Sequence, residues 1–130
     1  MTNEEIRDFI NNAIAEERVM LFMKGSPDAP SCGFSARMVS MLNALGVDYA
    51  ALDILPDPRI RQQLSEISGW PTIPQLFVDG ELVGGCDIVT EMYESGELAE
   101  KLGVEQPEEE PEPEAPQPQR APLGIENKLD

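Results

Sequence analysis

The 130-residue sequence contains no histidine and only two cysteines, Cys32 and Cys86. A four-ligand zinc site made of cysteine and histidine within one chain is therefore excluded, and two cysteines are too few for a disulfide-stabilised scaffold. Any site for a thiophilic metal must take some of its ligands from outside the chain.

Basic residues are scarce as well, with 9 Lys and Arg against 25 Asp and Glu. Nucleic-acid binding through phosphates needs clustered cations, so the composition argues against a nucleic-acid partner. No apolar run approaches the roughly 18 residues of a membrane span, and Met1–Glu5 lacks the basic and apolar parts of a signal peptide. We therefore expect a cytoplasmic protein with no membrane partner.

The first half of the chain predicts helix, strand and helix. Thr2 with Glu5 three residues later forms a capping box, and the apolar run Val19–Met23 predicts a central strand that is covered on both faces. A second helix begins at Cys32 and ends at Gly46. The apolar positions of the two helices are Ile6, Phe9, Ile10, Ala13 and Ile14, and then Phe34, Met38, Met41, Leu42 and Leu45.

The second half predicts strand, helix, hairpin and helix. Asp57-Pro58 is typical of a helix start and Gly69 of its end, while Asp-Gly suits the tight turn of a hairpin. The last helix is expected to begin with Asp87 as its cap and to break at Gly96. The strands are Tyr49–Asp53, Gln75–Val78 and Glu81–Val83, and a final helical segment runs from Glu97 to Leu102. The order αβαβαββα predicts an α/β fold with a four-stranded mixed sheet flanked by helices.

The composition changes at Val104. Residues 104–130 are rich in glutamate and proline and have little apolar surface to bury, so we predict a disordered, acidic, proline-rich tail after a domain of residues 1–103. Its end, Pro122–Asp130, regains three aliphatic residues. This end is either a short docking motif or an unstructured terminus, and the sequence leaves both open.

Cys32 is the candidate for chemistry. It opens the helix that follows the predicted strand Val19–Met23, and Lys24 comes directly after that strand; unpaired backbone N–H groups and a nearby ammonium both favour a thiolate. The alternative is a small, buried and inert cysteine. Because of its position, we interpret Cys32 as a reactive or metal-binding sulfur. Ser35 stands where a dithiol oxidoreductase has its second cysteine, and a hydroxyl cannot resolve a mixed disulfide.

Three motifs together resemble a known family. Cys32-Gly33-Phe34-Ser35, Trp70-Pro71-Thr72-Ile73-Pro74 and Gly84-Gly85-Cys86-Asp87 occur in this order, and they resemble the single-domain monothiol glutaredoxins of the CGFS class. The resemblance covers about residues 3 to 103 and leaves the tail outside. It implies a thioredoxin-like fold, a cis peptide bond at Pro74, and binding of glutathione and of a [2Fe–2S] cluster.

The resemblance also implies roles for individual residues. Cys32 becomes the cluster ligand and the reactive thiol, and Phe34 and Pro74 shape the site. From the residues alone, an arginine such as Arg61 on an exposed helix is usually a solvated charge, and a pair such as Gly84-Gly85 is more often a turn than a place for close approach of a ligand. The implied glutathione contacts are Lys24 and Arg61 to the glycyl carboxylate, Ile73 to the peptide backbone, and Cys86 with Asp87 to the γ-glutamyl end.

Three functions follow from this interpretation. The first is a carrier in which two chains and two glutathiones ligate a [2Fe–2S] cluster and deliver it to recipient apoproteins, with a BolA-like protein as a partner that the family suggests. The second is a glutathione-dependent oxidoreductase that acts on protein–glutathione mixed disulfides through Cys32 alone. The third is a redox sensor that joins Cys32 to Cys86, which depends on their separation in space.

Overall fold

Strand β1, Val19–Met23, is the centre of the fold in the computed structural model, which describes residues 1–105. All five of its residues are buried. It pairs in parallel with β4 and antiparallel with β5, and β5 pairs antiparallel with β6, so that the strand order is β4-β1-β5-β6. The predicted four-stranded mixed sheet is confirmed. The strands are β4, Ala50–Asp53, β5, Gln75–Val78, and β6, Glu81–Gly84.

The helices cover both faces of this sheet. Side chains alternate along β1, so Met20 and Phe22 face one side while Leu21 and Met23 face the other. Helices α1 and α3 pack on the side of Met20, and α2, α4 and α5 pack on the side of Leu21. The helices are α1, Asn3–Glu16, α2, Gly33–Leu45, α3, Pro58–Ser68, α4, Cys86–Ser95, and α5, Glu97–Leu102.

Most of the predicted helix ends are confirmed. The Thr2 N–H donates to the Glu5 carboxylate at 2.7 Å and the Glu5 N–H donates to the Thr2 hydroxyl at 3.1 Å, which completes the capping box. Asp57 caps α3 through the Arg59 N–H at 3.0 Å. Asp79 and Gly80 both have positive φ, as the turn between β5 and β6 requires.

Three details differ from the sequence-based prediction. The N-cap of α4 is Gly85 rather than Asp87, because Gly85 takes the extended backbone of a cap and the helix starts one residue later, at Cys86. Asp87 then lies in the first helical turn. A small hairpin that was not predicted, β2, Gly25–Ser26, with β3, Ala29–Pro30, fills the connection between β1 and α2. Phe9 has the helical spacing of the core positions but is half exposed.

The end of the described chain is tied to the domain. The Val104 N–H donates to the Ala99 carbonyl at 2.9 Å, and the Val104 side chain packs against the core beside α5. Val104, which the sequence assigns to the tail, therefore contacts the domain. The rest of the predicted tail, from residue 106, lies outside the described residues and stays a prediction. None of the helices in residues 1–105 has the length and hydropathy to cross a bilayer.

Candidate functional site

Cys32 is the N-cap of α2. Its backbone is extended, with φ −153° and ψ 160°, and its Sγ accepts a hydrogen bond from the Ser35 N–H at 3.4 Å. The sulfur therefore takes the place of the side-chain oxygen that usually satisfies the free N–H groups of a helix start. The predicted location of Cys32 at the beginning of the second helix is confirmed.

Ser35 connects this sulfur to the end of β1. Its side chain is fully buried, and its Oγ accepts a hydrogen bond from the Lys24 N–H at 3.1 Å. The same Oγ lies 3.4 Å from the Cys32 Sγ. Because the hydroxyl already accepts from Lys24, its proton is available to the sulfur when Cys32 is ionised.

These contacts lower the pKa of Cys32. Partial burial raises the pKa, but hydrogen bonds from the Ser35 hydroxyl, the Ser35 N–H and the Phe34 N–H lower it, and the Lys24 charge lowers it further. The net shift is downward, so the thiolate is favoured relative to an ordinary cysteine. Cys32 is therefore an activated sulfur on chemical grounds.

A groove of about 320 Å³ opens beside the N-terminal ends of α2 and α4. Its lining includes seven of the eight residues that the sequence analysis assigned to the site, while Cys32 lies two residues before the lining residue Phe34. The structure thus brings the predicted residues to one place from five separate segments of the chain. The lining residues are Lys24, Phe34, Arg61, Trp70, Thr72, Ile73, Pro74, Gly85, Cys86, Asp87 and Ile88.

Two cations in this groove have no carboxylate partner within residues 1–105. The ion pairs of this region join Arg7 to Glu66, Arg18 to Asp79 and Arg59 to Asp57, all at other positions. Lys24 and Arg61 therefore face the groove without a counter-charge within 4 Å, although one Nη of Arg61 donates to the Pro71 carbonyl at 3.3 Å. In a chain with so many carboxylates, two cations without a carboxylate partner at one groove favour an anionic ligand there.

Another part of the groove lining is built around the Ile73-Pro74 peptide bond, which is cis. Gln75 is fully buried and its Nε2 donates to the carbonyls of Trp70 and Thr72, at 3.0 Å and 3.1 Å. One buried amide therefore fixes the curvature of this segment. No hydrogen bond of turns, loops or caps within residues 1–105 uses the Ile73 backbone, as expected for a strand-like ligand site.

Gly85 has a packing role that the sequence analysis did not foresee. A Cβ atom at this position would lie 2.9 Å from the Trp70 Nε1 and 3.4 Å from the Pro74 carbonyl oxygen. Gly85 is thus needed for the close approach of the α4 cap to the Trp70–Pro74 segment. A simple turn, which is one interpretation of Gly84-Gly85 from the sequence, does not account for this contact with Trp70.

Cys86 differs from Cys32 in its environment. It is half buried at the first position of α4, and its Sγ lies 3.9 Å from the Thr90 hydroxyl. Burial raises the pKa of Cys86, the Thr90 hydrogen bond and the Arg37 charge only partly oppose this, and the charges of Asp87 and Cys32 add to it. Both cysteines are free thiols, and the thiolate form is less favoured at Cys86 than at Cys32.

Sequence reasoning missed a second depression that adjoins the groove. It has a volume of about 380 Å³ and is lined in part by Arg37, whose Nε donates to the Thr90 hydroxyl at 3.3 Å. Part of it could have been found from helical spacing. Arg37 follows Phe34 by three residues and Thr90 follows Cys86 by four, so each pair lies on one face of its helix. The contact between α2 and α4, which completes the depression, could not be deduced from spacing within either helix.

One chain alone does not form a metal site within the described range. In residues 1–105, no three side chains among histidine, cysteine, aspartate and glutamate come together in a metal-binding group. Cys32 offers one activated sulfur. A cluster that needs four sulfur ligands would therefore need donors from a second chain or from a small thiol.

Comparisons with known proteins identify the family of this chain. The Glutaredoxin family model matches residues 19–83. Over 102 residues the chain is 50% identical to "Probable monothiol glutaredoxin 2" of Rickettsia typhi, covering 78% of this chain and 91% of that protein. It is 57% identical over 93 residues to "Glutaredoxin 4" of Escherichia coli K12, covering 72% and 81%.

Among solved structures, the fold is similar to the solution structure of a reduced poplar glutaredoxin in its apo form. The TM-score is 0.70 and the identity 42%, with 79% of this chain and 95% of that chain covered. The thioredoxin-like architecture expected from the sequence is thereby confirmed. This chain belongs to the glutaredoxin family and, with Cys32-Gly33-Phe34-Ser35 at its active position, to the monothiol branch of that family.

Proposed function

We propose that this protein binds glutathione in the groove and, as a homodimer, carries a [2Fe–2S] cluster that it delivers to recipient apoproteins. The observation on which the proposal chiefly depends is Cys32, an activated sulfur that has a buried serine, not a second thiol, at hydrogen-bonding distance. Such a sulfur is free to ligate iron, since the position three residues later, where a dithiol oxidoreductase has its resolving cysteine, holds a serine.

The groove supports the glutathione part of the proposal. Glutathione is a tripeptide with two carboxylates, one ammonium and one thiol. Lys24 and Arg61 have no counter-charge nearby and suit its glycyl carboxylate, and the Ile73 backbone suits its peptide groups. The N-terminal end of α4 at Cys86 offers N–H groups to the γ-glutamyl carboxylate, while Asp87 suits the ammonium.

Ligand counting supports the dimer. A [2Fe–2S] cluster usually takes four thiolates. Cys32 supplies one per chain, and the family resemblance assigns Cys86 to the γ-glutamyl end of glutathione and not to the iron. Two chains and two glutathione thiolates complete the set. Because glutathione is held by charge and hydrogen bonds alone, it can exchange, and an exchangeable ligand makes the cluster transferable.

The glutathione site can be tested without iron. Trp70 is the single tryptophan of the chain and lines the groove, so its fluorescence reports occupancy. Glutathione should change this signal saturably. Arg61→Gln should weaken the apparent affinity about three- to ten-fold by removing a charge-assisted hydrogen bond. Lys101→Gln removes an exposed charge outside the groove and is the matched control. An identical response in all three proteins would contradict the assignment.

The cluster requires a separate test. The protein is reconstituted anaerobically with iron, sulfide and glutathione, and its visible absorption is recorded. We expect charge-transfer bands in the wild type and in Cys86→Ala, and a colourless Cys32→Ser. If correctly folded wild-type protein shows no bands with glutathione in excess, the carrier proposal fails.

The lowered pKa of Cys32 also favours a second candidate function, a glutathione-dependent oxidoreductase. The Cys32 thiolate would attack the glutathione sulfur of a mixed disulfide and release the protein thiolate. A second glutathione thiolate would then attack the glutathione sulfur of the Cys32–glutathione disulfide, which forms glutathione disulfide and releases the Cys32 thiolate. Turnover of a glutathionylated protein, with no cluster formed under anaerobic conditions, would place this candidate first.

Two further points belong to the same proposal. The family resemblance suggests a BolA-like partner for the cluster-loaded protein, which co-purification of holo protein with such a partner would test. We also propose a cytoplasmic location, because reducing conditions there keep Cys32 and Cys86 as free thiols.

A further inference from the structure

The depression beside the glutathione groove has chemistry of its own. It shares Phe34, Cys86 and Asp87 with the groove, so the two are continuous. Lys24 and Arg61 line only the groove. The residues that line only the depression are Arg37, Thr90 and Glu91.

Arg37 is held in place there and is not neutralised. Its Nε donates to the Thr90 hydroxyl at 3.3 Å, and its side chain is half buried between α2 and α4. Its two Nη groups donate no hydrogen bond to any residue in the described range 1–105. No carboxylate of that range lies within 4 Å, although Asp87 and Glu91 line the same depression.

An arginine in this state suits one chemical class. A guanidinium anchored through its Nε has little side-chain freedom left to lose, and its remaining N–H groups match the two oxygens of a carboxylate. A freely solvated surface arginine would have neither the Thr90 anchor nor a concave surrounding.

We propose that Arg37 binds a glutamate or aspartate side chain of a peptide whose cysteine is disulfide-bonded to glutathione, while that glutathione occupies the groove. This inference rests on the proposed glutathione site. The two carboxylates of glutathione already have partners in the groove, at Lys24 with Arg61 and at the start of α4. A carboxylate that reaches Arg37 therefore belongs to the peptide.

The reaction that reports this contact is a single disulfide exchange. The Cys32 thiolate attacks the glutathione sulfur, a Cys32–glutathione disulfide forms, and the peptide leaves as a thiolate that takes a proton from solvent. No external oxidant or reductant is consumed. The exchange can be followed in a single turnover by mass spectrometry of the protein.

The experiment compares two glutathionylated peptides that differ only in a glutamate or a glutamine next to the cysteine. A partly exposed ion pair should make the wild type react about three- to five-fold faster with the glutamate peptide at low salt. Arg37→Gln should bring the ratio to about one. Glu91→Gln should increase it, because it removes a repelling carboxylate from the depression. Lys101→Gln should keep the wild-type ratio and rates.

The outcomes separate this inference from the proposed function. Equal wild-type rates for the two peptides, a ratio that does not fall as salt is raised, or a preference that survives in folded Arg37→Gln would overturn the Arg37 subsite while the glutathione site stands. If neither peptide transfers glutathione to Cys32 and Trp70 fluorescence does not respond to glutathione, the proposed glutathione site fails and this inference fails with it.

Discussion

Removing the Ser35 hydroxyl should weaken both the fold and the activation of Cys32. In Ser35→Ala, the Lys24 N–H loses the acceptor that now lies 3.1 Å away, at a fully buried side chain. An unsatisfied, partly buried N–H costs about 1–3 kcal/mol, which corresponds to a fall in melting temperature of about 4–12 °C for a domain of this size. Ser40→Ala is the matched control, because Ser40 is also on α2 and its side chain makes no hydrogen bond within residues 1–105.

The same variant should raise the pKa of Cys32, since the Ser35 hydroxyl is the largest of the contributions that lower it. The pKa can be measured from the pH dependence of alkylation by iodoacetamide in a Cys86→Ala background, where only Cys32 reacts. The midpoint of this profile should move to higher pH when Ser35→Ala is added. An unfolded cysteine has a pKa of about 8.5, and the pKa of Cys32 is lower in the folded protein. The Cys32 thiolate therefore adds to the free energy of unfolding. This contribution is complete above about pH 8.5 and is lost as the pH falls through the pKa of the folded state. The stability difference between wild type and Ser35→Ala should therefore be larger near about pH 9 than near about pH 6.

The assays are thermal unfolding at both pH values and the pH profile of alkylation. If Ser35→Ala melts with the wild type and its alkylation profile is unchanged, Ser35 neither holds the end of β1 nor stabilises the thiolate. A loss of stability without a change in alkylation would retain only the structural role.

Three other predictions concern the fold and the second cysteine. Gly25→Ala should lower the free energy of unfolding in urea by at least about 2 kcal/mol, since φ is +86° and the new Cβ would lie 2.5 Å from the Ala29 oxygen. Gly69→Ala is the control, because its Cβ would point into open space, and it should cost only about 1 kcal/mol. Equal losses in the two variants would contradict the clash at Gly25. Cys86→Ala should still assemble the cluster, and loss of the chromophore in the folded variant would make Cys86 a ligand. Truncation after Glu105 should change the melting temperature by no more than about 2 °C and should retain cluster binding. The removed residues are rich in glutamate and proline, and Val104 remains packed on the core. A larger fall in melting temperature, or loss of the cluster, would show that the tail contributes.

The central part of the fold could be predicted because local signals and burial agree there. The run Val19–Met23 is apolar at every position, as a strand buried on both faces requires, and the capping box at Thr2 and the Asp-Gly turn are local chemistry. The hairpin β2–β3 was missed because strands of two residues have no periodicity to read. Asp87 was assigned to the cap because side chains usually cap helices, whereas Gly85 takes the position by backbone conformation alone.

Part of the site could also be predicted from the sequence, and part of it could not. Cys32 and the nearby Lys24 could be found from their places between a strand and a helix, and the glutathione contacts were implied by the family resemblance. Contacts between distant segments could not be found. Arg37 and Thr90 are 53 positions apart, and the steric need for Gly85 depends on Trp70, fifteen residues earlier. Such pairs are set by how α2, α4 and the Trp70–Pro74 segment pack, which no local pattern encodes.

The most direct test of the cluster carrier follows mass, iron and glutathione together during reconstitution. Size-exclusion chromatography with light scattering should give a monomer for the apo protein. The holo protein should be a dimer with about one cluster and two glutathiones, and Cys32→Ser should be monomeric and colourless. Removing the iron with a chelator should return the wild type to monomer. A coloured monomer, a cluster without glutathione, or a dimer that persists after the iron is removed would contradict the account.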